Sequence, residues 1–373
     1  MSVFKDLVVD RINSAKNTPG IPINYSEKLH KHINSIQQAT SYVVGGRESG
    51  GKRSFTDLFF FISAYMSWFS MPEETRPPLK IIYFNMDKPL HIKMQKWLCM
   101  YMWYAHNEFM DINTLNGGKG RMYDLTPDLI DKIEKAQAFF DYMFDSGILK
   151  VIDGPKHPTG IFVQVVETLK ENCGYLEREK FKRPEFIYND DLKDQITLVI
   201  IDNANKLSGE TKDGGSITDY QLHEIMVGYL EELKSIYKVT PVMIIPSFKV
   251  AGLAMKKDLV PDFREFQNYY RQADVAFNIF NPAAFLGNSS EWYGYNIHDM
   301  VTAPDSVSRL RTLHILRNTM GVDNITLPYV FFPENGVMLE APLPGSVSYQ
   351  DYIKWLASYK VSIINSKNSQ ENE

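Results

Sequence analysis

Short, nearly continuous apolar runs separated by longer amphipathic stretches dominate the pattern of this chain. A run of four to eight apolar residues is typical of a strand buried on both faces, and apolar positions three to four residues apart are typical of a helix. The pattern predicts strands at 39–44, 79–86, 149–153, 196–202, 240–247, 274–280, 312–318 and 326–332. It predicts helices at 1–16, 54–69, 90–106, 162–172 and 220–237.

The alternation of predicted strands and helices favours one large α/β domain. Helices that connect parallel strands cover a sheet from both sides, so we predict a twisted, mainly parallel sheet with helices on both faces. Residues 1–25 are predicted to form a short helix and a linker, 26–345 the domain, and 346–373 a C-terminal helix and a disordered tail. The polar stretch 107–148 is expected to be helical, and 181–195 is expected to be a surface loop or insertion.

Composition narrows the class of protein without fixing its chemistry. The 373 residues carry a formal net charge of −5, so contact with nucleic acid would need a local basic patch or a channel formed by assembly. Cys99 and Cys173 have no spacing typical of a metal site or a disulfide framework, and we expect reduced thiols. No apolar run approaches the roughly 20 residues that span a bilayer, and no signal-peptide pattern is seen. We therefore predict a cytoplasmic protein without membrane contact.

The sharpest local motif is a glycine-rich segment between a predicted strand and a predicted helix. Residues 46–52, GRESGGK, match the G-x-x-x-x-G-K pattern of a phosphate-binding loop. In such a loop, backbone N–H groups surround phosphate oxygens, Lys52 adds a positive charge, and the helix N-terminus adds its dipole. The next position normally carries a hydroxyl that binds Mg²⁺, but here it is Arg53, followed by Ser54. The alternative is a structural glycine turn with a solvated lysine.

A second candidate for nucleotide chemistry is Asp202, which ends the apolar run ITLVIID. A carboxylate just past a buried strand can hold Mg²⁺ or its water shell. The alternative is a helix cap or an ordinary loop aspartate. The predicted nucleotide-binding residues are Gly46, Ser49, Gly51, Lys52, Arg53, Ser54 and Asp202, with Asp202 and, as a weaker ligand, Ser54 for Mg²⁺.

Taken in order, these motifs resemble the C-terminal ATPase domain of DnaB-type replicative helicases, a RecA-like group of superfamily 4. The resemblance covers roughly residues 17–342. The segments that carry it are TPGIPINYSEKLHKHI, SYVVGGRESGGKRSF, IIYFNMDKPLHIKMQKWL, LKVIDGP, LVIIDNANKLSG, EIMVGYLEELKSIYKVTPVMIIPSFK, RQADVAFNIFNP and HILRNTMGVDNITLPYVFF. A RecA-type recombinase would share the fold but explains the FNMD and GIP segments less well.

The resemblance implies ATP and Mg²⁺ as cofactors, a homo-hexameric ring, and ATP-driven translocation on single-stranded DNA with duplex unwinding. Within it, Lys52 would hold phosphates, Asp202 the Mg²⁺ shell, Asp87 would orient the attacking water, and Arg317 would act on a neighbouring subunit's nucleotide. The family has a further domain before the linker, whereas only residues 1–16 precede it here, so its usual primase and loader contacts are not expected. Other replication proteins are candidate partners, and a compact helicase suits a phage.

Four departures from the family's pattern all concern hydrolysis. The catalytic glutamate falls on Asp87, whose shorter side chain would draw the base back by roughly 1–1.5 Å, and such a misplacement can lower the rate about 10²-fold. Arg53 replaces the Mg²⁺-binding hydroxyl, Phe248 replaces the glutamine that senses the γ-phosphate, and the trans-acting Lys-x-Arg pair falls on Arg317 and Thr319. Either Arg53 supplies part of the Mg²⁺ charge in a slow ATPase, or the domain is a non-hydrolysing scaffold or partner-binding protein.

Candidate DNA contacts lie between two of the late strands. Aromatic and basic side chains together suit single-stranded nucleic acid, and the alternative is a solvated loop that caps the sheet. The candidates are Lys256, Lys257, Arg264, Tyr269, Tyr270 and Arg271.

Two other groups of residues have more than one interpretation. Tyr101 and Trp103 could stack on bases, but their helical spacing favours packing against the sheet. Arg309 and Arg311 precede the last site strand, where they would pair either across a subunit interface or in a surface salt bridge.

Overall fold

The apolar runs form the strands of a central sheet whose middle strands are buried on both faces. The structure is a computed structural model. It describes residues 20–47, 49–116, 126–180, 182–209, 217–246, 266–286, 290–302 and 307–342, with single positions at 348, 351 and 354. The predictions for the helix at 1–16, for the tail, and for Phe248, Lys256, Lys257 and Arg264 fall outside the described residues.

Strands and helices alternate along most of the chain. The strands are β1 (Ile21–Pro22), β2 (Ser35–Ile36), β3 (Tyr42–Gly46), β4 (Leu79–Asn85), β5 (Leu149–Asp153), β6 (Gly174–Glu177), β7 (Glu185–Tyr188), β8 (Ile196–Asp202), β9 (Thr240–Pro246), β10 (Val275–Phe280), β11 (Glu291–Trp292), β12 (Tyr295–Asn296), β13 (Val301–Thr302), β14 (Val307–Ser308), β15 (Leu310–Asn318), β16 (Ile325–Phe332) and β17 (Val337–Glu340). The α-helices are α1 (Glu27–His30), α2 (Lys52–Thr56), α3 (Ser63–Phe69), α4 (Leu90–His106), α5 (Ile112–Leu115), α6 (Pro127–Asp145), α7 (Pro158–Asn172), α8 (Asp219–Ser235), α9 (Gln267–Gln272) and α10 (Ala283–Leu286). A π-helical turn, Asp57–Ile62, joins α2 to α3.

The central sheet of the described residues has nine strands in the order β17-β16-β15-β10-β3-β9-β8-β4-β5. The strands from β10 to β5 run parallel to one another. Parallel neighbours need a crossover connection, which helices such as α4 and α8 supply. β15, β16 and β17 are added antiparallel at one side, and short connections join β15 to β16 and β16 to β17. The prediction of a mainly parallel sheet is confirmed, and the antiparallel extension is a feature that the apolar pattern did not distinguish.

Helices pack on both faces of the sheet. Successive side chains of a strand point to opposite faces, so Val44 and Tyr83 join a core with α2, α3, α4 and α6, whereas Val43 and Phe84 join a core with α7, α8 and α9. This arrangement confirms the predicted fold class. Tyr101 and Trp103 are buried, as expected for helix packing. None of the described helices combines the length and apolarity that a bilayer crossing requires.

The prediction of a surface loop at 181–195 is wrong for part of that segment. β7 pairs antiparallel with β6, and the Phe186 side chain is fully buried against Tyr237, with ring centroids 5.5 Å apart. The Tyr188 hydroxyl donates to the Tyr237 carbonyl oxygen at 2.8 Å. The run EFIY is too short to stand out among its charged neighbours, so its burial depends on packing that the local pattern does not reveal.

The parallel strands bring the candidate nucleotide-binding residues to one edge of the sheet. β3 ends at Gly46, and Asn85 at the end of β4 pairs in register with Asp202 at the end of β8. In open α/β sheets, ligands bind outside the carboxyl ends of the strands. The segments after β3, β4 and β8 therefore meet where a ligand would be expected.

Candidate functional site

The glycine-rich loop passes from the end of β3 to the start of α2 with a backbone that requires glycine. Gly51 is the residue before α2 and has φ 98°, and Ser49 also lies in the left-handed region, with φ 61°. A Cβ atom added to Gly51 would collide with the Met338 side chain of β17, and one added to Gly46 would lie 2.9 Å from the Ile279 carbonyl oxygen. At these two glycines the loop lies against β10 and β17, and a side chain there would require its neighbours to shift.

Lys52, the first residue of α2, lies against this loop. Its side chain is largely buried, and its Nζ donates to the Arg47 carbonyl oxygen at 3.4 Å. Ser54 faces the turn between β16 and β17, where its Oγ lies 3.4 Å from the position of a Cβ on Gly336. Arg53, rather than Ser54, is the α2 residue that reaches the carboxylates of the site.

Arg53 joins the two carboxylates that the sequence singled out. Its Nη2 lies 2.6 Å from Asp87 Oδ2, and its Nε lies 2.8 Å from Asp202 Oδ1. Lys206 Nζ approaches the other oxygen of Asp87 at 3.6 Å. Asp202 is completely buried, whereas the Arg53 side chain is 32% exposed. A single guanidinium group therefore occupies the space between Asp87 and Asp202.

Lys93 is a second cation at the site, and sequence reasoning missed it. It projects from α4, where its Nζ lies 2.7 Å from Asp202 Oδ2 and 2.8 Å from Asp57 Oδ2. The Tyr83 hydroxyl donates to the other oxygen of Asp57 at 2.6 Å. The signal in the sequence is a lysine within the otherwise apolar face of a helix that begins just after Asp87.

We call Arg53, Asp57, Asp87, Lys93 and Asp202 the carboxylate centre. Burial by itself would raise the pKa of Asp202, but the charges of Lys93 and Arg53 outweigh it and lower that pKa. For Asp57, burial dominates and the pKa is raised in spite of Lys93. The pKa values of Lys93 and Arg53 are raised, because attraction to the carboxylates exceeds the effect of their burial. Asp202, Lys93 and Arg53 are therefore all charged at neutral pH.

Arg309 and Arg311 make contacts within this chain and are not surface residues. Arg311 is buried on β15, and its Nη2 donates to the Ser49 carbonyl oxygen of the loop at 3.4 Å. Burial, with the nearby charge of Arg309, lowers the pKa of Arg311 to about 10. Arg309 Nη2 lies 2.5 Å from Glu334 Oε1, and its side chain is 4% exposed. The prediction of a surface salt bridge is therefore wrong for Arg309, whose ion pair is buried on its side. Arg311 contacts the glycine-rich loop, which sequence reasoning did not indicate.

Arg317 lies at the other end of β15 from Arg311. It is opposite Ala276 near the start of β10, whereas Ile279 at the end of β10 pairs with Gly46 of the loop. Arg317 is therefore close to the amino ends of the parallel strands. This position separates it from the glycine-rich loop of its own chain.

Of the candidate DNA-contacting residues, α9 carries the three that the structure describes. Tyr269 is 2% exposed, its ring packs near His223, and its hydroxyl lies 3.2 Å from His223 Nδ1. The prediction that Tyr269 stacks on bases is wrong in this structure, because its ring belongs to the core. Tyr270 is half-buried and donates to the Leu316 carbonyl oxygen at 3.2 Å. Arg271 is exposed.

Comparisons with known proteins agree with this architecture. The sequence gives no match to protein-family profiles or to curated proteins. Among solved structures, the ATPase domain of a helicase is similar with a TM-score of 0.63 and 13% identity, covering 91% of this chain and 99% of that one. A DnaB-like replicative helicase, solved in a study of its interactions with primase, is similar with a TM-score of 0.60 and 13% identity, covering 92% of this chain and 68% of that one.

The sheet order, the helices on both faces and these similarities define an α/β protein with a RecA-like fold. In fold it is similar to the ATPase domains of the two helicase structures. A nucleotide and Mg²⁺ are the ligands that the family resemblance implies. The glycine-rich loop and Lys52 suit phosphate oxygens, since they offer backbone N–H groups and a cation. The carboxylate centre suits Mg²⁺ poorly, since that ion prefers oxygen ligands and both oxygens of Asp202 face nitrogen cations.

Proposed function

We propose that this chain is an ATP-dependent, DnaB-like motor domain that translocates on single-stranded DNA and separates duplex strands. The observation that carries the proposal is the meeting of the glycine-rich loop, Asp87 and Asp202 at the carboxyl edge of a RecA-like sheet. Fold similarity to DnaB-like helicases supports the substrate class. The proposed setting is the cytoplasm of a bacterial or phage-infected cell, where DNA replication proteins are the candidate partners.

Each site residue has a proposed role in this motor. Backbone groups from Gly46 to Gly51 surround the phosphates, and Lys52 contributes a charge to the β- and γ-phosphates. Arg53, the next residue of α2, adds a second charge. Asp87 accepts a proton from, or orients, the attacking water. Because Asp87 is already paired with Arg53 at 2.6 Å, its carboxylate has to leave that pair to position water, and we expect slow turnover.

The proposed assembly is a homo-hexameric ring with nucleotide between subunits. Arg317 lies away from the loop of its own chain, so its charge suits a nucleotide bound by a neighbour. Arg271 is exposed on α9 and remains a candidate for contact with the DNA backbone. Tyr270 is only half-buried and is kept as a weaker candidate.

A second candidate is a non-hydrolysing nucleotide-binding scaffold. The observation in its favour is that Asp87, the residue proposed to orient water, faces two cations, Arg53 at 2.6 Å and Lys206 at 3.6 Å. A carboxylate held in two ion pairs has to break at least one of them before it can position a water molecule.

Measurement of ATP hydrolysis with and without single-stranded DNA separates these candidates. For a motor, DNA stimulates phosphate release, and both Lys52→Ala and Asp87→Ala abolish that stimulation. For a scaffold, the folded wild-type chain binds ATP but releases no phosphate above the level of Lys52→Ala. A chain that binds neither ATP nor single-stranded DNA would contradict both candidates.

A further inference from the structure

Lys93 occupies the inner side of Asp202 as a permanent counter-ion. Its side chain is 4% exposed, and its Nζ lies between the carboxylates of Asp202 and Asp57. The Tyr83 ring lies 5.0 Å from the ammonium group, so the contact also has cation–π character. A lysine buried this deeply leaves its carboxylate partners only at a large free-energy cost, because an unpaired charge would stay in the protein interior.

Arg53, whose side chain is partly exposed, occupies the outer side of Asp202. Its Nε and Nη2 pair with Asp202 and Asp87, and an arginine has more N–H donors than these two pairs require. About a third of its side chain is exposed (32%). Arg53 follows Lys52 directly, so both cations leave the first turn of α2, immediately after the loop that would hold phosphates.

A divalent cation would have to displace one of these two groups to bind Asp202. Mg²⁺ requires oxygen ligands in near-octahedral geometry at about 2.0–2.1 Å, whereas both Asp202 oxygens accept from nitrogen donors at 2.7 and 2.8 Å. The residue after Lys52 also supplies a guanidinium where a ligand hydroxyl would be required. Displacing Arg53 would leave a guanidinium beside the incoming dication, and displacing Lys93 would leave a buried ammonium group.

We infer that Arg53 and Lys93 take the place of the divalent cation, so that this site binds a nucleoside triphosphate without Mg²⁺. Lys93 neutralises Asp202 from within, and Arg53 presents positive charge to the β- and γ-phosphate oxygens. The inference rests on the proposed binding of nucleotide at the glycine-rich loop. It differs from the usual arrangement because the cation belongs to the chain and does not arrive with the nucleotide.

The first test is calorimetric titration of ATP into the full wild-type chain, in buffer with Mg²⁺ and in buffer with EDTA. We expect the two dissociation constants to agree within about threefold, a difference of less than one tenfold step in affinity. Binding that is tighter in Mg²⁺ by about tenfold or more would overturn the inference while leaving nucleotide binding intact. Absence of binding in both buffers would overturn the proposed function and, with it, this inference.

A pair of charge-matched variants tests the residue assignment. Arg53→Thr restores a hydroxyl after Lys52 and frees one oxygen of Asp202 from a charged hydrogen bond. We therefore expect this variant to bind ATP more weakly in EDTA than in Mg²⁺, by about tenfold or more. Lys206→Thr also removes one positive charge, but among the described residues the ion pair of Lys206 is with Asp87 and not with Asp202, so this variant should keep the metal independence of the wild type. Equal metal dependence of the two variants would overturn the assignment to Arg53. Circular dichroism checks folding, and the wild-type titration decides the inference should Arg53→Thr not fold.

Discussion

The glycine-rich loop and the carboxylate centre adjoin each other, yet they are built in different ways. The loop depends on backbone conformation, with Gly51 at φ 98° packed against Met338. The carboxylate centre depends on side-chain charge, with Arg53 and Lys93 held by carboxylates at 2.6 to 2.8 Å. The loop keeps the glycines and the lysine of the phosphate-binding pattern. In the centre, cations of the chain lie where the family resemblance implies a metal ion.

This difference predicts that the two regions respond differently to substitution. Changes in the loop should always affect nucleotide binding, because the loop's backbone N–H groups are its proposed ligands, and should affect stability only where a closely packed glycine is replaced. Changes in the buried part of the centre should affect the free energy of unfolding first, because they leave a charge without its partner. The predictions below test this separation.

The largest expected effect is on stability and comes from Lys93→Met. Removal of the ammonium group leaves Asp57 and Asp202 buried beside each other without their shared cation. We expect the free energy of unfolding to fall by about 3–5 kcal/mol, as for other broken buried ion pairs. Urea denaturation followed by circular dichroism measures this change. A loss of less than about 1 kcal/mol is typical of exposed ion pairs. It would contradict the claim that the carboxylate centre, unlike the loop, acts mainly on stability.

Gly51→Ala should give the next largest effect and should act on both properties. The added methyl group meets Met338, and alanine is strained at this positive φ, so stability should fall by about 2–3 kcal/mol. ATP binding should be lost with it. The matched control is Gly228→Ala in α8, where the added Cβ meets nothing within 4 Å. There we expect a gain of about 0.5–1 kcal/mol from helix propensity. Losses of equal size in the two variants would contradict this account of the loop.

Mild acid should destabilise the protein through His314 and not through the ion pairs of Asp202. Burial lowers the pKa of His314 to about 4, so between its ordinary value near 6.5 and about 4 the unfolded chain binds the proton and the folded chain does not. Stability should therefore fall by about 2 kcal/mol from pH 7 to pH 5 on account of this residue. The pKa of Asp202 is lowered, so its contribution is present above its ordinary value and persists in this range.

The test of this prediction compares unfolding of wild type and His314→Gln at pH 7 and pH 5. The variant should lose about 2 kcal/mol less than the wild type over this interval. If the stability of His314→Gln depends on pH as that of the wild type does, groups other than His314 cause the sensitivity to acid.

The smallest expected effect is that of Lys206→Met at the rim of the centre. Its ion pair with Asp87 is 3.6 Å long and the lysine side chain is 46% exposed, so solvent screens the interaction. We expect a change in the free energy of unfolding of less than about 1 kcal/mol. Thermal and urea unfolding of Lys206→Met and Lys93→Met measure the free energy of unfolding of each variant. Comparable losses of stability in the two variants would mean that burial does not determine the strength of these ion pairs.

The parallel part of the fold could be predicted from the sequence because its signals are local. Continuous apolar runs such as 149–153 and 196–202 became strands with the predicted bounds. The glycine spacing of the loop likewise reports a backbone conformation that few other residues adopt. β7 was missed because four residues between charged neighbours give too short a pattern.

The carboxylate centre could not be assembled from the sequence, because its members come from α2, the π-helical turn, α4 and two strand ends. Lys93 and Asp57 lie 36 positions apart and meet only through the packing of α4 on the sheet. At Tyr269 the sequence suggested a contact that the structure does not allow. An aromatic residue beside basic ones indicated stacking on bases, whereas the ring of Tyr269 is buried. Local composition does not determine which side of a helix faces the core when the helix is short.

The most direct test of the central claim is a crystal structure with a non-hydrolysable ATP analogue and Mn²⁺, with anomalous scattering used to locate manganese. The account predicts phosphates on the loop beside Lys52 and Arg53, both ion pairs of Asp202 retained, and no anomalous peak at Asp202. A manganese ion bound to Asp202, with Arg53 turned away from it, would contradict the claim that the chain supplies its own cations.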